Sequence, residues 1–152
     1  MAITTGPMTV TITESLDVGT TVMDTATSIA EEVSVNDIYK RVITVPTSEI
    51  TLYTTHGSVP QGSTFDNNAV KYVRITNYDT SNYIHLRISN QEGDEFVYRL
   101  ANGQSFILWG HLTCMNASQG AALTLGTGES SIADVTAQSN NGACDVEIVV
   151  AS

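Results

Sequence analysis

Apolar and polar residues alternate with a period of two along most of this chain, and that period predicts strands. Met8–Thr13 reads Met-Thr-Val-Thr-Ile-Thr, apolar against threonine at every step. Arg41–Val45 is a second such run, halted by Pro46, and Glu49–Thr54 is a third in which Ile50 and Leu52 share a face. Because Pro46 has no N–H to donate, the strand before it is expected to end there or to lie at a sheet edge. Four more alternating runs follow in close order: Lys71–Thr76, Tyr83–Ser89, Glu95–Leu100 and Ser105–Trp109. The gaps between them carry the Asn, Asp and Gly of tight turns, so the segment is predicted to be a four-stranded antiparallel meander. Ile132–Gln138 and Asp145–Val150 close the chain, and Asn141-Gly142 between them predicts a hairpin, since both residues tolerate positive φ.

Other segments read less sharply. Ser15–Glu32 is Thr-rich and is expected to hold a short strand near Thr21–Met23 and a turn of helix around Ser28–Glu32. His56–Asn68, with Gly57, Pro60, Gly62 and an Asp-Asn-Asn cluster, is the longest loop candidate. Asn116–Ser131 is rich in Gly, Ala and Ser and reads as a loop around one short strand, Ala122–Leu125. The pattern holds roughly eight to nine strands with little or no helix, no internal repeat and no visible boundary. It predicts a single all-β domain over residues 1–152, an antiparallel β-sandwich or jelly-roll, with residues 1–9 an extended N-terminal arm that adds to a neighbour's sheet.

Within the meander the alternation assigns faces. Val73, Ile75, Ile84, Leu86, Ile88, Phe96, Tyr98, Leu100, Phe106 and Leu108 fall on one apolar face. Tyr72, Arg74, Tyr83, His85, Arg87, Val97, Arg99, Ile107 and Trp109 fall on the other. That second face has more Tyr, Arg and Trp than a solvated surface needs, so either another layer covers it or it meets another chain. The candidate contact residues are Tyr72, Arg74, Tyr83, His85, Arg87 and Trp109, together with the His56–Asn68 loop.

Composition adds to this picture. The chain has 152 residues, 41% of them hydrophobic and only 14% charged, with a net charge of −10. The apolar share is enough for a core, and the acidic balance argues against binding nucleic acid or an anionic membrane through the overall field. Four of the six basic residues, Lys71, Arg74, Arg87 and Arg99, nevertheless lie in the predicted meander. No apolar run approaches the ~18–20 residues of a membrane-crossing helix. The first residues have neither a basic nor an apolar signal region, so folding in a cytosol is expected, with Cys114 and Cys144 reduced unless adjacent strands bring them together.

Candidate chemistry is sparse. His56, His85 and His111 form no metal or catalytic motif, and His111 with Cys114 falls short of the roughly four ligands of a zinc site. Asp79, Asn82, Asp94 and Glu95 in or beside turns are candidate oxygen ligands for Ca²⁺, although such residues favour turns for their own backbone bonds. Glu31-Glu32 and Glu92/Asp94/Glu95 lack the aromatic cleft of a glycosidase. Gly126-Thr127-Gly128-Glu129-Ser130 lacks the lysine of a phosphate loop, and Asn116-Ala117-Ser118 matters only in a secretory pathway. No cofactor and no catalytic or metal residue is predicted.

The run Tyr72-Val73-Arg74-Ile75-Thr76-Asn77, then Leu86-Arg87-Ile88, then Tyr98-Arg99-Leu100-Ala101-Asn102-Gly103-Gln104-Ser105-Phe106-Ile107-Leu108 resembles small structural proteins of tailed bacteriophage virions. The closing Asp145-Val146-Glu147-Ile148-Val149-Val150 strand is similar to their C-termini. The resemblance covers about a third of the chain and brings no functional residues with it. It implies a non-enzymatic virion component assembled in the host bacterial cytoplasm, foremost a capsid decoration or cement protein bridging major capsid subunits. It also implies a homo-oligomer, with a trimer favoured. A head–tail connector or tail protein is the alternative. From another class, a carbohydrate-binding module of a tail fibre would use exposed aromatics such as Tyr53, Tyr78 and Trp109.

Overall fold

The computed structural model describes residues 6–13, 16–18, 21–23, 29–56, 65–66, 69–109 and 132–152. It separates into two compact units, Met1–Asn36 and Asp37–Ser152.

The first unit holds β1 (Gly6–Ile12), β2 (Leu16–Val18), β3 (Thr21–Met23) and β4 (Ile29–Val35). β1 pairs antiparallel with β4 from Gly6↔Val35 to Ile12↔Ile29, and β2 pairs with β3. The turn of helix expected around Ser28–Glu32 is not formed, since Ile29–Glu32 begin β4. β1 supplies the backbone partners, and β-branched Ile29, Val33 and Val35 suit a pleated strand better than a helix. Gly6–Thr9, within the segment expected to be an arm, lie opposite Glu32–Val35.

The second unit holds β5 (Ile38–Val45), β6 (Ile50–His56), β7 (Phe65–Asp66), β8 (Tyr72–Asn77), β9 (Ile84–Asn90), β10 (Glu95–Leu100), β11 (Ser105–Trp109), β12 (Ile132–Ser139) and β13 (Cys144–Ala151). One sheet has the order β10-β9-β12-β6-β7 and the other β11-β8-β13-β5. All pairings are antiparallel except the short β6–β7 ladder. Consecutive strands β5/β6, β8/β9, β10/β11 and β12/β13 therefore fall at matching places in opposite sheets, the order of a jelly-roll. The all-β sandwich read from the sequence is the observed class. Its strand count is higher, thirteen among the described residues, and β2, β4 and the short β7 are the strands that no predicted run covers.

Two predicted pairings are corrected. The segment 71–109 is not a meander: β8 and β11 pair in one sheet while β9 and β10 pair in the other. β12 and β13 are not a hairpin either, since β12 lies between β9 and β6, and β13 between β8 and β5. The turn at Gly142 has the positive φ of 75° that Asn-Gly favours, yet it carries the chain over the core rather than back along the same sheet. Alternation fixes which side chains face the core. It says nothing of which side of the core the strand lies on.

Both sheets line one core. Ile75 and Ile148 from one sheet, and Ile84, Leu86, Ile88 and Val135 from the other, are fully buried within it. Each such side chain contributes roughly 1.5–3 kcal/mol of burial. Pro46 follows β5, which ends at Val45 and is an edge strand, as a residue without an N–H requires.

Candidate interaction surface

Side chains that alternate with the core residues of β9, β10 and β12 form the outer face of the five-stranded sheet. The register aligns them in rows: Arg99, His85 and Gln138; then Val97, Arg87 and Thr136; then Glu95, Ser89 and Asp134. Arg87 is the hub. Its Nε lies 3.0 Å from a Glu49 carboxylate oxygen, and its terminal nitrogen donates to Glu95 at 2.6 Å. The Thr136 hydroxyl donates to the same Glu49 oxygen, and this bond, ahead of the Arg87 charge, holds the Glu49 carboxyl below its usual value. Next to the hub, the Tyr83 and His85 rings meet edge to face at 5.1 Å, and the Arg99 guanidinium sits 3.9 Å over the Tyr83 ring. Glu49, His85, Arg87, Val97, Thr136 and Gln138 line an open groove of about 200 Å³. Gln138 is tied at one end of it by donating to the Thr47 carbonyl at 2.7 Å. These exposed ion pairs each contribute little to stability, but together they hold the side chains in place on a rigid sheet.

The six predicted contact residues do not form one surface. Tyr83, His85 and Arg87 belong to the outer face just described, whereas Tyr72, Arg74 and Trp109 belong to the other sheet. There Tyr72 is buried rather than exposed, with Trp109 edge to face against it at 5.4 Å. Arg74 donates to Glu147 at 2.7 Å and to Thr76 at 3.0 Å, and Thr76 is bonded in turn to Ser105. Lys40 reaches the second Glu147 oxygen at 2.9 Å. Their split follows from the corrected topology. Residues assigned to one face of a meander lie on opposite outer faces once β8 and β9 belong to different sheets.

Other sequence candidates are placed as follows. Of the His56–Asn68 loop, His56 ends β6 and pairs with Asp66, while residues 57–64 and 67–68 lie outside the described residues. His111, Cys114, Asn116–Ser118 and Gly126–Ser130 also lie outside them. Tyr53 is buried against Phe65 at 5.3 Å, so it is not an exposed aromatic, while Tyr78 and Trp109 are exposed. The four proposed calcium ligands do not converge. Asp79 and Asn82 precede β9 and Asp94 and Glu95 follow it, and that seven-residue strand separates them by roughly 20 Å. The Asp79 carboxylate accepts the Asn82 and Ser81 backbone N–H groups at 2.6 and 2.8 Å, which hold its carboxyl below the usual value. Among the described residues, no three His, Cys, Asp or Glu side chains gather as metal ligands. Cys144 is a buried thiol 3.1 Å from the Ser139 hydroxyl, and burial pushes its pKa up, away from nucleophilic use.

Sequence reasoning missed Glu49, Thr136, Gln138 and the buried Glu147. The first three come from segments distant in sequence from β9 and β10 and carry no local signal. Glu147 had one, an acidic residue inside the apolar run Val146–Val150. Comparison with protein-family models, with characterised proteins and with solved structures returned no match to this chain.

Proposed function

We propose that the protein is a non-enzymatic structural component of a bacteriophage particle, a capsid decoration protein whose outer sheet face seats on major capsid subunits. The observation that carries this reading is the cluster of Tyr83, His85, Arg87 and Arg99 around the groove on the five-stranded sheet. Aromatic and arginine side chains held rigidly on a strand face lose little freedom on binding, and they are the residues favoured as anchors at protein interfaces. Jelly-rolls recur in viral capsid domains, which agrees with the reading by fold analogy alone. The protein would act by complementary shape across seams between subunits, with no covalent step.

The test is to add purified protein to capsids that lack it and to count the copies bound. A number comparable with that of the capsid subunits supports decoration; a single ring of copies places the protein in the connector or tail instead. No binding at all overturns both. Tyr83→Ala with Arg99→Ala is expected to lower occupancy at least about tenfold, the scale of losing one interface anchor.

A second reading rests on the polar lining of the same groove by Glu49, Arg87, Thr136 and Gln138, a set able to bond sugar hydroxyls. It makes the protein a carbohydrate-binding module. Glycan-array binding lost in Gln138→Ala, without capsid binding, would favour it.

A further inference from the structure

We infer that β10 pairs antiparallel with β10 of a second copy of this chain, across a two-fold axis at Val97. β10 is the last strand of its sheet, so among the described residues one side of its backbone has no strand beside it. Phe96, Val97 and Tyr98 on it are 40%, 56% and 40% exposed. Three consecutive large apolar residues on an open edge invite pairing, and soluble proteins ordinarily blunt such an edge with charge, proline or a cover.

The sequence of β10 specifies the occupant. Glu95-Phe96-Val97-Tyr98-Arg99 is complementary to itself when reversed. In a register centred on Val97, Glu95 of each copy faces Arg99 of the other, Phe96 faces Tyr98, and Val97 faces Val97. Directly opposite residues share a face of the sheet, so the two aromatic pairs continue the side that carries Leu86 and Ile88. The two ion pairs flank the axis on the groove side. Glu95 already holds Arg87 through one oxygen, which leaves the other for Arg99 of the second copy. A slip of two residues leaves the charges unmatched, and a slip of four sets glutamate against glutamate or arginine against arginine.

An edge of the other sheet shows the contrast. β5 exposes Ile38 and Val42, but Lys40 and Arg41 stand in its middle, and its central self-pairing registers place like charges opposite each other. One edge is protected against its own copy and the other is matched to it. The charge of −10 on each chain opposes the approach only at long range, and is screened within about 8 Å at physiological salt.

The inference does not rest on the virion reading, and its test uses the full chain alone. Sedimentation and light scattering at about 0.15 M salt are expected to give a mass of twice 16.2 kDa at micromolar concentration. Glu95→Arg alone sets two arginine pairs across the axis, and Arg99→Glu alone sets two glutamate pairs. Each is expected to weaken the dimer at least about tenfold. Mixing the two variants, or combining both changes in one chain, restores complementary pairs and the dimer mass. Val97→Lys, at an exposed position whose change spares the core, puts two ammonium groups on the axis and dissociates the dimer in case either charge reversal disturbs folding. A monomer throughout overturns the inference, as does the trimer implied by the resemblance, or a dimer indifferent to all these changes.

Discussion

Glu147 sits mid-strand on β13 with its carboxylate almost out of water, between Lys40 and Arg74. The Lys40 hydrogen bond first, then the Tyr78 hydroxyl and the two charges, hold its carboxyl below the usual value against the opposing effect of burial. The folded chain therefore releases this proton more readily than the unfolded chain. Its contribution to stability is complete above the ordinary value of 4.5 and is lost as pH falls through the depressed folded value. Urea midpoints measured across that acid range are expected to decline in the wild type and less steeply in Glu147→Gln. The same change at neutral pH is expected to cost about 1–3 kcal/mol, the lower part of that range because Lys40 can return to water. Asn77 is the second such residue. Fully buried at the end of β8, it accepts the Asp79 N–H at 3.0 Å and donates to the carbonyls of Asn82 and Leu100. Its own backbone exchanges bonds with Gln104 and Gly103, so one residue ties together two of the crossings between the sheets, those leading into β9 and β11. Asn77→Ala leaves several of those groups without a partner, and a loss of about 1–3 kcal/mol in chemical denaturation is expected.

At the scale of elements, the strands of the second unit were legible and their partners were not. Every alternating run from Lys71 to Trp109 became a strand within a residue or two of its predicted bounds. The turn residues also did as expected locally: Gly93, Gly103 and Gly142 all have positive φ. Gly93 lies between β9 and β10, the one connection among the described residues of the second unit that turns back within a sheet. A Cβ there would meet nothing within 4 Å, so Gly93→Ala is strained only by its φ of 93°. Thermal or urea unfolding should report a cost of about 1 kcal/mol. Leu86→Ala, in the core from the same hairpin, is expected to cost about 2–5 kcal/mol by the same measurement. Asn-containing turns support a reversal of direction in both settings, so their chemistry did not distinguish the β9–β10 hairpin from the crossings at residues 77–83, 101–104 and 140–143.

At the scale of the molecule, every member of the buried cluster, from Val45 to Val150, comes from Asp37–Ser152. A fragment of residues 37–152 is accordingly expected to unfold cooperatively and to give a dispersed amide spectrum, and a collapsed spectrum would contradict that division. The sequence by itself determined the all-β class, most of the residues that line the core, though not buried Tyr72 or the exposed Phe96 and Tyr98, and the outward placement of Tyr83, His85, Arg87 and Arg99. It could do so because a two-residue period is a local property of each strand. Only the tertiary structure decided that successive strands alternate between two sheets, that Tyr72, Arg74 and Trp109 lie apart from Tyr83, His85 and Arg87, and that β10 stands at an edge. Those outcomes depend on which distant strands share backbone hydrogen bonds. That pairing is settled by closing one core from both sides, and no single segment of the chain encodes it.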